Sequence, residues 1–188
     1  MLVNFISKHP LRRFTSRRNL FHFITLSFNQ VDEERRKMLG PDRVCAEWIL
    51  KNGGSVRWLG DTEYITDYNL LPPERTKKYI EGMDATNSSI SHHGFPHLKG
   101  CLNIREVILR NCSYIEDEAI AALEHLKGSL THLIIEDCPN VTLKGLSHVL
   151  KQKRLKRLIL RDFLYINKNE LEHFIQETSL IIPSCRIN

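Results

Sequence analysis

The sequence predicts an α/β fold in which about four strand-loop-helix units of 25–26 residues stack into a solenoid behind a small helical cap. Three observations indicate this fold class. Apolar residues recur at that spacing, helix start and stop signals precede the first unit, and an acid-free basic segment stands ahead of both. A unit of this size cannot bury its apolar side alone, so several units must share one continuous core.

The repeat is clearest in a column of apolar residues that aligns Met83, Leu109, Ile135 and Leu160. Four further columns follow in the same alignment: Thr86, Cys112, Cys138 and Phe163; Ile90, Ile115, Val141 and Ile166; Phe95, Ile120, Leu146 and Leu171; Leu98, Leu123, Val149 and Phe174. The better units have the pattern L-x-x-L-x-L-x-x-C-x-x-I, which is the signature of a leucine-rich repeat. Solenoids of this kind offer extended binding surfaces, so protein binding is the expected function.

The ends of the solenoid are predicted from the segments that flank the repeats. In this alignment Lys78 and Glu81 replace the leucine-type residues of later units, so the first unit is expected to be degenerate, as terminal units often are. The last unit ends in apolar residues that can close the far end of the core: Phe174, Ile175, Leu180, Ile181 and Ile182.

A helical N-terminal domain is predicted over residues 20–55, ahead of a repeat domain over residues 56–188. Residues 20–31 are apolar and aromatic and favour one helix. Asp32 can cap a second helix that stops at a Gly-Pro pair. Pro41 then starts a third helix, which a Gly-Gly pair ends.

Residues 1–19 have the composition of a mitochondrial transit peptide, and a disordered basic tail is the alternative. The first 31 residues hold five Lys and Arg and no acidic residue, whereas the rest of the chain has 22 of each charge. A nearly neutral body argues against a nucleic-acid footprint. No apolar run approaches the roughly 20 residues of a membrane span, so at most peripheral membrane association is expected.

The five cysteines form no C-x-x-C pair and do not suggest a disulfide scaffold. Cys112 and Cys138 occupy the same repeat position and are predicted to be reduced, buried structural thiols. His92, His93 and His97 are predicted to be a solvated surface cluster, because no cysteine or carboxylate lies at zinc-ligand spacing. No hydrolase, zinc-protease or phosphate-loop motif is present. An enzyme is therefore the least expected class.

The outward residues of the repeat strands are the predicted partner-binding site. They form an isoleucine row and a charged row, which comprise Ile108, Ile134 and Ile159, and Arg110, Glu136 and Arg161. An apolar stripe flanked by charge suits a partner. The alternative is that the isoleucines only serve strand propensity and neighbour packing.

Several runs of the chain resemble the mitochondrial coupling factor B family, also called ATP synthase subunit s. The runs are FNQVDEERRKMLGPDRVCAEWILKNGGSVRW, DYNLLP, MDATNSS and CSYIEDEAI, within residues 28–175. The resemblance implies a short helical domain before about four leucine-rich repeats. It also implies a matrix protein, peripheral to the inner membrane, that serves proton-coupled ATP synthesis by binding the membrane sector of ATP synthase.

The resemblance further implies a weakly bound Mg²⁺, held by Gly53 and by Thr86 of the D-A-T motif. One departure is that Arg110 stands where the family has the first cysteine of a Cys-x-Cys pair, so a dithiol mechanism is not expected here. Two other functions stay open: an assembly factor for the distal membrane arm of complex I, whose group shares these signatures, and a ubiquitin-ligase substrate receptor. The absence of an F-box motif and the transit-like leader speak against the receptor.

Overall fold

A computed structural model of the chain describes residues 27–188. The predicted leader and most of the helix predicted over residues 20–31 lie outside these residues. The described α-helices are α1 (Glu33–Leu39), α2 (Pro41–Lys51), α3 (Asp117–Ala122), α4 (Leu143–Ser147) and α5 (Lys168–Ile181). Short 3-10 helices cover Tyr68–Leu70, His92–Leu98, Leu123–Leu126 and His148–Lys151. The strands are β1 (Ser55–Trp58), β2 (Ile80–Asp84), β3 (Glu106–Arg110), β4 (His132–Glu136), β5 (Arg157–Arg161) and β6 (Arg186–Ile187).

The two N-terminal helices form where the sequence predicts them. The Asp32 side chain accepts a hydrogen bond from the Arg35 N–H at 2.8 Å, which satisfies one of the free donors at the start of α1. Gly40 ends α1 with a positive φ of 87°, and Pro41 begins α2 at a position where its missing N–H costs nothing. Both helix boundaries confirm the prediction.

The fold is mixed α/β, and its six described strands form one sheet in sequence order. Strand β1 is antiparallel to β2, and β2 to β6 are mutually parallel. Alternate residues point to the helix side and are fully buried, as Leu109 on β3 and Ile135 on β4 illustrate. The helical segments between successive strands cover that side, so one core runs along the sheet.

The register of the first unit differs from the sequence alignment by two residues. Met83 pairs with Val107, not with Leu109, and the pairing continues to Leu133 and Leu158. The buried residues of the first unit are Ile80, Met83, Ala85 and Ser88. They take the positions that Ile104, Val107, Leu109 and Cys112 hold in the next unit. The prediction that Lys78 and Glu81 make this unit degenerate is therefore wrong, and so is the placement of Thr86 in the cysteine column.

The first unit has small residues at two core positions, and this unit packs against α2. The Ser89 N–H donates to the carbonyl of Asn52, just beyond α2, at 2.8 Å, so the helix end lies directly on the turn that follows β2. Two small residues, Ala85 and Ser88, occupy the positions that hold Leu109 and Cys112 one unit later. The leucine-cysteine pattern is consequently lost in this unit although its core positions are filled.

A residue with positive φ follows each of the strands β2 to β5 and marks the repeat better than the apolar columns do. These residues are Asn87, Asn111, Asp137 and Asp162, with φ between 50° and 57°. Asn and Asp tolerate this left-handed conformation better than other residues with a Cβ. Neighbouring turns also bond, since Asn111 Nδ2 donates to Asn87 Oδ1 at 2.6 Å.

The far end of the sheet is closed by α5 and β6. Helix α5 begins with a capping box in which Asn167 and Glu170 bond each other's backbone N–H. Phe174 and Ile182 are buried there, as predicted, but Leu180 is 84% exposed and lies outside the core. No helix within residues 27–188 has the length and apolar character needed to cross a membrane.

The cysteines of the described chain are all free, and Cys112 and Cys138 are buried, as predicted. Four are buried and Cys185 is half-buried. Cys112 Sγ donates to the Ala85 carbonyl at 3.0 Å, and Cys138 Sγ donates to the Leu109 carbonyl at 3.5 Å. Each of these two thiols thus bonds the backbone of the preceding unit, which is a structural role.

Candidate partner-binding surface

The three isoleucines of the isoleucine row are neighbours on the open face of the sheet. Ile108 pairs with Ile134, and Ile134 pairs with Ile159, across β3, β4 and β5. Ile108 and Ile134 are half-buried, but Ile159 is only 8% exposed. The row therefore presents apolar surface mainly at Ile108 and Ile134, and less at Ile159 than the sequence predicts.

The charged row runs beside the isoleucine row, two residues further along each strand. Arg110 pairs with Glu136, and Glu136 pairs with Arg161. The Nε of Arg110 lies 2.8 Å from Oε2 of Glu136, so these two charges form an ion pair on the sheet surface. Arg161 is exposed, and the row carries a net positive charge.

A polar network that the sequence does not predict covers the open face of the sheet on the other side of the isoleucine row. Tyr64 lies over Gly82, where an added Cβ would fall 2.3 Å from the tyrosine oxygen. Its hydroxyl donates to Glu106 Oε2 at 2.9 Å, and Arg57 Nη2 lies 3.0 Å from the same oxygen. Burial raises the pKa of Tyr64, and the bond to Glu106 adds to that shift, so this hydroxyl stays protonated as a donor.

The two residues predicted to bind a cation come from adjacent segments. Gly53 follows α2 with a φ of 83°, and Thr86 follows β2. Ser55 at the start of β1 pairs with Asp84 at the end of β2, which brings the two segments together. Both the N–H and the hydroxyl of Thr86 donate to Asp84 Oδ1, at 2.8 Å and 2.5 Å.

Comparison with known proteins gives the family. No protein-family model matches the chain. The chain is 40% identical over 157 residues to mitochondrial ATP synthase subunit s of Rattus norvegicus. The aligned region covers 81% of this chain and 78% of the relative. Identity to subunit s of Bos taurus is 36% over 174 residues, or 90% of this chain and 86% of the relative. The chain belongs to the mitochondrial ATP synthase subunit s family.

A more distant relative lies outside the subunit s group. The chain is 26% identical over 136 residues to distal membrane arm assembly component 2 of Drosophila melanogaster. That match covers 69% of this chain and 47% of the relative. Its identity and coverage are both lower than those of the subunit s relatives.

The magnesium implied by the resemblance to the subunit s family would require oxygen donors, and the segments that carry Gly53 and Thr86 contain groups of that kind. Mg²⁺ prefers oxygen ligands, keeps several waters and takes one or two carboxylates. The Thr86 hydroxyl and the Asp84 carboxylate are oxygen groups of this kind and lie 2.5 Å apart, and the pairing of β1 with β2 brings the segment after Gly53 beside them. The carboxylate is not part of the sequence prediction. Residues 27–188 contain no cluster of three or more His, Cys, Asp or Glu suited to a metal. A single carboxylate with backbone and hydroxyl oxygens would thus have to hold the ion.

The predicted histidine surface cluster is wrong for one of its members. His97 is buried and stacks on Trp48, with ring centroids 5.0 Å apart. Burial lowers the pKa of His97 to about 4, so the ring is neutral at physiological pH. His93 is exposed, and His92 Nδ1 lies 3.6 Å from Glu116. The 3-10 helix over His92–Leu98 packs on α2, which a single-sequence pattern does not show.

Proposed function

We propose that this chain is a non-catalytic accessory subunit of the mitochondrial ATP synthase and binds the complex through the isoleucine and charged rows. Membership of the subunit s family supports the complex as the partner. The strand-by-strand pairing supports a leucine-rich-repeat solenoid as the architecture, with the rows on its open face. Its place is the matrix side of the inner membrane, where docking on the membrane sector would steady the complex against proton leak.

The observation that carries this proposal is the in-register isoleucine row. Protein interfaces combine an apolar centre with a polar rim. Ile108 and Ile134 supply half-buried apolar surface in the middle of the sheet face, and Arg161 supplies an exposed charge beside it. Helices cover the opposite side of the sheet, so the open face is the side on which a partner can reach the strands.

Replacing Ile134 with aspartate is expected to reduce recovery of ATP synthase subunits at least about tenfold in a pull-down from gently solubilised mitochondria, because a charge replaces central apolar contact. Mass spectrometry of the captured complexes is the measurement. Leu180→Asp is the matched control, since Leu180 is exposed away from the row. The exposed Arg161→Glu variant tests the same face without touching an apolar residue. Undiminished recovery of ATP synthase subunits with both Ile134→Asp and Arg161→Glu would refute the proposed surface.

We also propose a weak Mg²⁺ site at Gly53 and Thr86, with Asp84 as its carboxylate. Binding to the folded state raises stability by about 1.4 kcal/mol when the free ion is at ten times its Kd. Millimolar MgCl₂ is therefore expected to raise the thermal midpoint of the wild type. Thr86→Val should lose this increase, while the exposed Thr76→Val should keep it. Equal increases in all three proteins would exclude the site.

An assembly factor for the distal membrane arm of complex I is the second candidate function. The relation to the Drosophila assembly component is the observation that favours it. The same pull-down separates the two functions, because intermediates of the complex I arm would be captured in place of ATP synthase subunits. Loss of that capture in Ile134→Asp would assign the open face to assembly.

A further inference from the structure

A basic cleft lies at the end of the sheet where the connecting loops enter strands β3 to β6. Its volume is about 930 Å³. Residues at or just before the amino ends of the four strands line the cleft. Its basic side chains are Arg105, His132, Lys153, Arg154, Lys156 and Arg186. Those five Lys and Arg residues and His132 define the basic cleft.

The charge of the basic cleft is not balanced from within. No carboxylate is among its described lining residues. Arg105 lies 3.1 Å from Glu81, and Arg154 donates to the Gly128 carbonyl at 2.8 Å. Lys153, Lys156 and Arg186 have no ion pair within residues 27–188.

This concentration of charge contrasts with the rest of the molecule. Beyond residue 31 the chain has 22 basic and 22 acidic residues, so its body is close to neutral. Around the cleft, the sheet also pairs Arg157 directly with Arg186. Like charges that face each other across strands destabilise the fold. An anionic partner would offset that repulsion.

The size of the cleft suits an extended polypeptide. Parallel strands lie about 4.8 Å apart, so the three steps from β3 to β6 span about 14 Å. An extended chain advances about 3.4 Å per residue and would cross the cleft with about four residues. The hydroxyl groups of Ser129, Thr131 and Ser184 also lie in the lining and can hydrogen-bond a peptide backbone.

A membrane surface fits the cleft less well. Interfacial binding requires apolar side chains that enter the lipid layer beside the basic ones. Leu102 is the one large apolar residue among the described lining residues. The exposed Leu164 and Tyr165 follow β5 and so lie at the opposite end of the strands. The cleft is also a recess, whereas a lipid surface is flat.

We propose that the basic cleft is a docking site for an extended acidic polypeptide segment, of which about four residues span the cleft. The site is separate from the isoleucine row and does not depend on which complex that row binds. Lys153, Lys156 and Arg186 form the ion pairs with the acidic side chains. The loop hydroxyls bind the segment's backbone.

The test is fluorescence anisotropy of the full chain with a labelled hexaglutamate peptide, with a hexaglutamine peptide as the control ligand. The double variant Lys156→Gln, Arg186→Gln is expected to weaken hexaglutamate binding about tenfold at low salt. The matched double variant Lys144→Gln, Lys168→Gln makes the same charge change at exposed sites outside the cleft and should leave the affinity nearly unchanged.

Equal weakening by both double variants would overturn the proposal, because it would mean diffuse attraction. Binding to phosphatidylcholine vesicles containing phosphatidylglycerol, lost in the cleft variant and without hexaglutamate binding, would assign the cleft to lipid instead. Amide NMR shifts of the wild type upon peptide addition give a result that does not rely on variants. Shifts are expected at Ser129 and Ser184 and not at Ser113, and the reverse pattern would refute the site.

Discussion

Replacing Leu133 with alanine is expected to lower the free energy of unfolding by about 2–5 kcal/mol. Leu133 is fully buried on the helix side of β4, and it pairs with Val107 on one side and Leu158 on the other. A cavity at Leu133 would lie between well-packed residues on both neighbouring strands, which limits how far the surrounding core can collapse into it. Because small domains are stable by only about 5–15 kcal/mol, one such cavity removes a large share.

Urea unfolding followed by tryptophan fluorescence measures this effect, because Trp48 and Trp58 are both buried in the folded state. Leu164→Ala is the matched control, since Leu164 is 67% exposed and a surface substitution of this kind stays within about 0.5 kcal/mol. A loss at Leu133 no larger than at Leu164 would contradict the role of this column as core.

Replacing Glu47 with glutamine is expected to cost about 2–3 kcal/mol, because it leaves two guanidinium groups without their buried partner. Only 3% of the Glu47 side chain is exposed. Arg35 and Arg43 each place a nitrogen 2.8 Å from its carboxylate. Arg35 also reaches Glu74, and Arg43 donates to the Pro72 carbonyl, so Glu47 ties α1, α2 and the loop before β2 together. Arg35 is one-third exposed, which limits the loss.

The pH dependence of unfolding tests the same carboxylate with a defined sign. Burial alone would raise the pKa of Glu47, but the hydrogen bonds from Arg35 and Arg43 outweigh burial and hold the pKa below its ordinary 4.5. A lowered pKa in the folded state contributes stability above pH 4.5, and that contribution is lost as the pH falls toward the folded-state pKa.

The difference in unfolding free energy between wild type and Glu47→Gln should therefore shrink as the pH is lowered through that range. Urea unfolding at a series of pH values measures the difference. Glu124→Gln is the control, because Glu124 pairs with Lys151 on the exposed surface and its loss should change stability little at any pH. A difference between wild type and Glu47→Gln that does not change with pH would mean that Glu47 is not ionised in the fold.

Local signals made much of the fold predictable. The cap at Asp32, the proline at the start of α2 and the alternation on β3 and β4 all act over a few residues, and the structure confirms them. On β5 the outward Ile159 is buried as well, so the alternation fails there. The sequence pattern aligns the first unit two residues out of register because Ala85 and Ser88 replace the leucine and cysteine of later units. The pairing of Met83 with Val107 identifies those two positions as core, and a single sequence does not give that pairing.

The candidate surface was predictable to the extent that it follows from strand register. Ile108 and Ile134 lie side by side as predicted, because one offset aligns every residue of β3 and β4. The cover of Tyr64 over Gly82 was not predictable, since the tyrosine comes from an irregular loop and contacts Glu106 far along the chain. The sequence also does not predict Asp84 as a ligand of the proposed Mg²⁺ site, since its nearness to the segment after Gly53 depends on the pairing of β1 with β2.

The sequential order of the strands has a consequence for how this protein gains and loses structure. From β2 to β5 each strand pairs in parallel with the next strand of the chain, and the paired residues are 24 to 26 positions apart, as in Gly82 with Glu106 and Glu106 with His132. Because the sequence separations are similar, no one of these pairings has to close a much longer loop than its neighbours during folding. Opening of the two-residue strand β6 therefore breaks one pairing at the edge of the sheet, whereas loss of β4 would break the pairings with both β3 and β5.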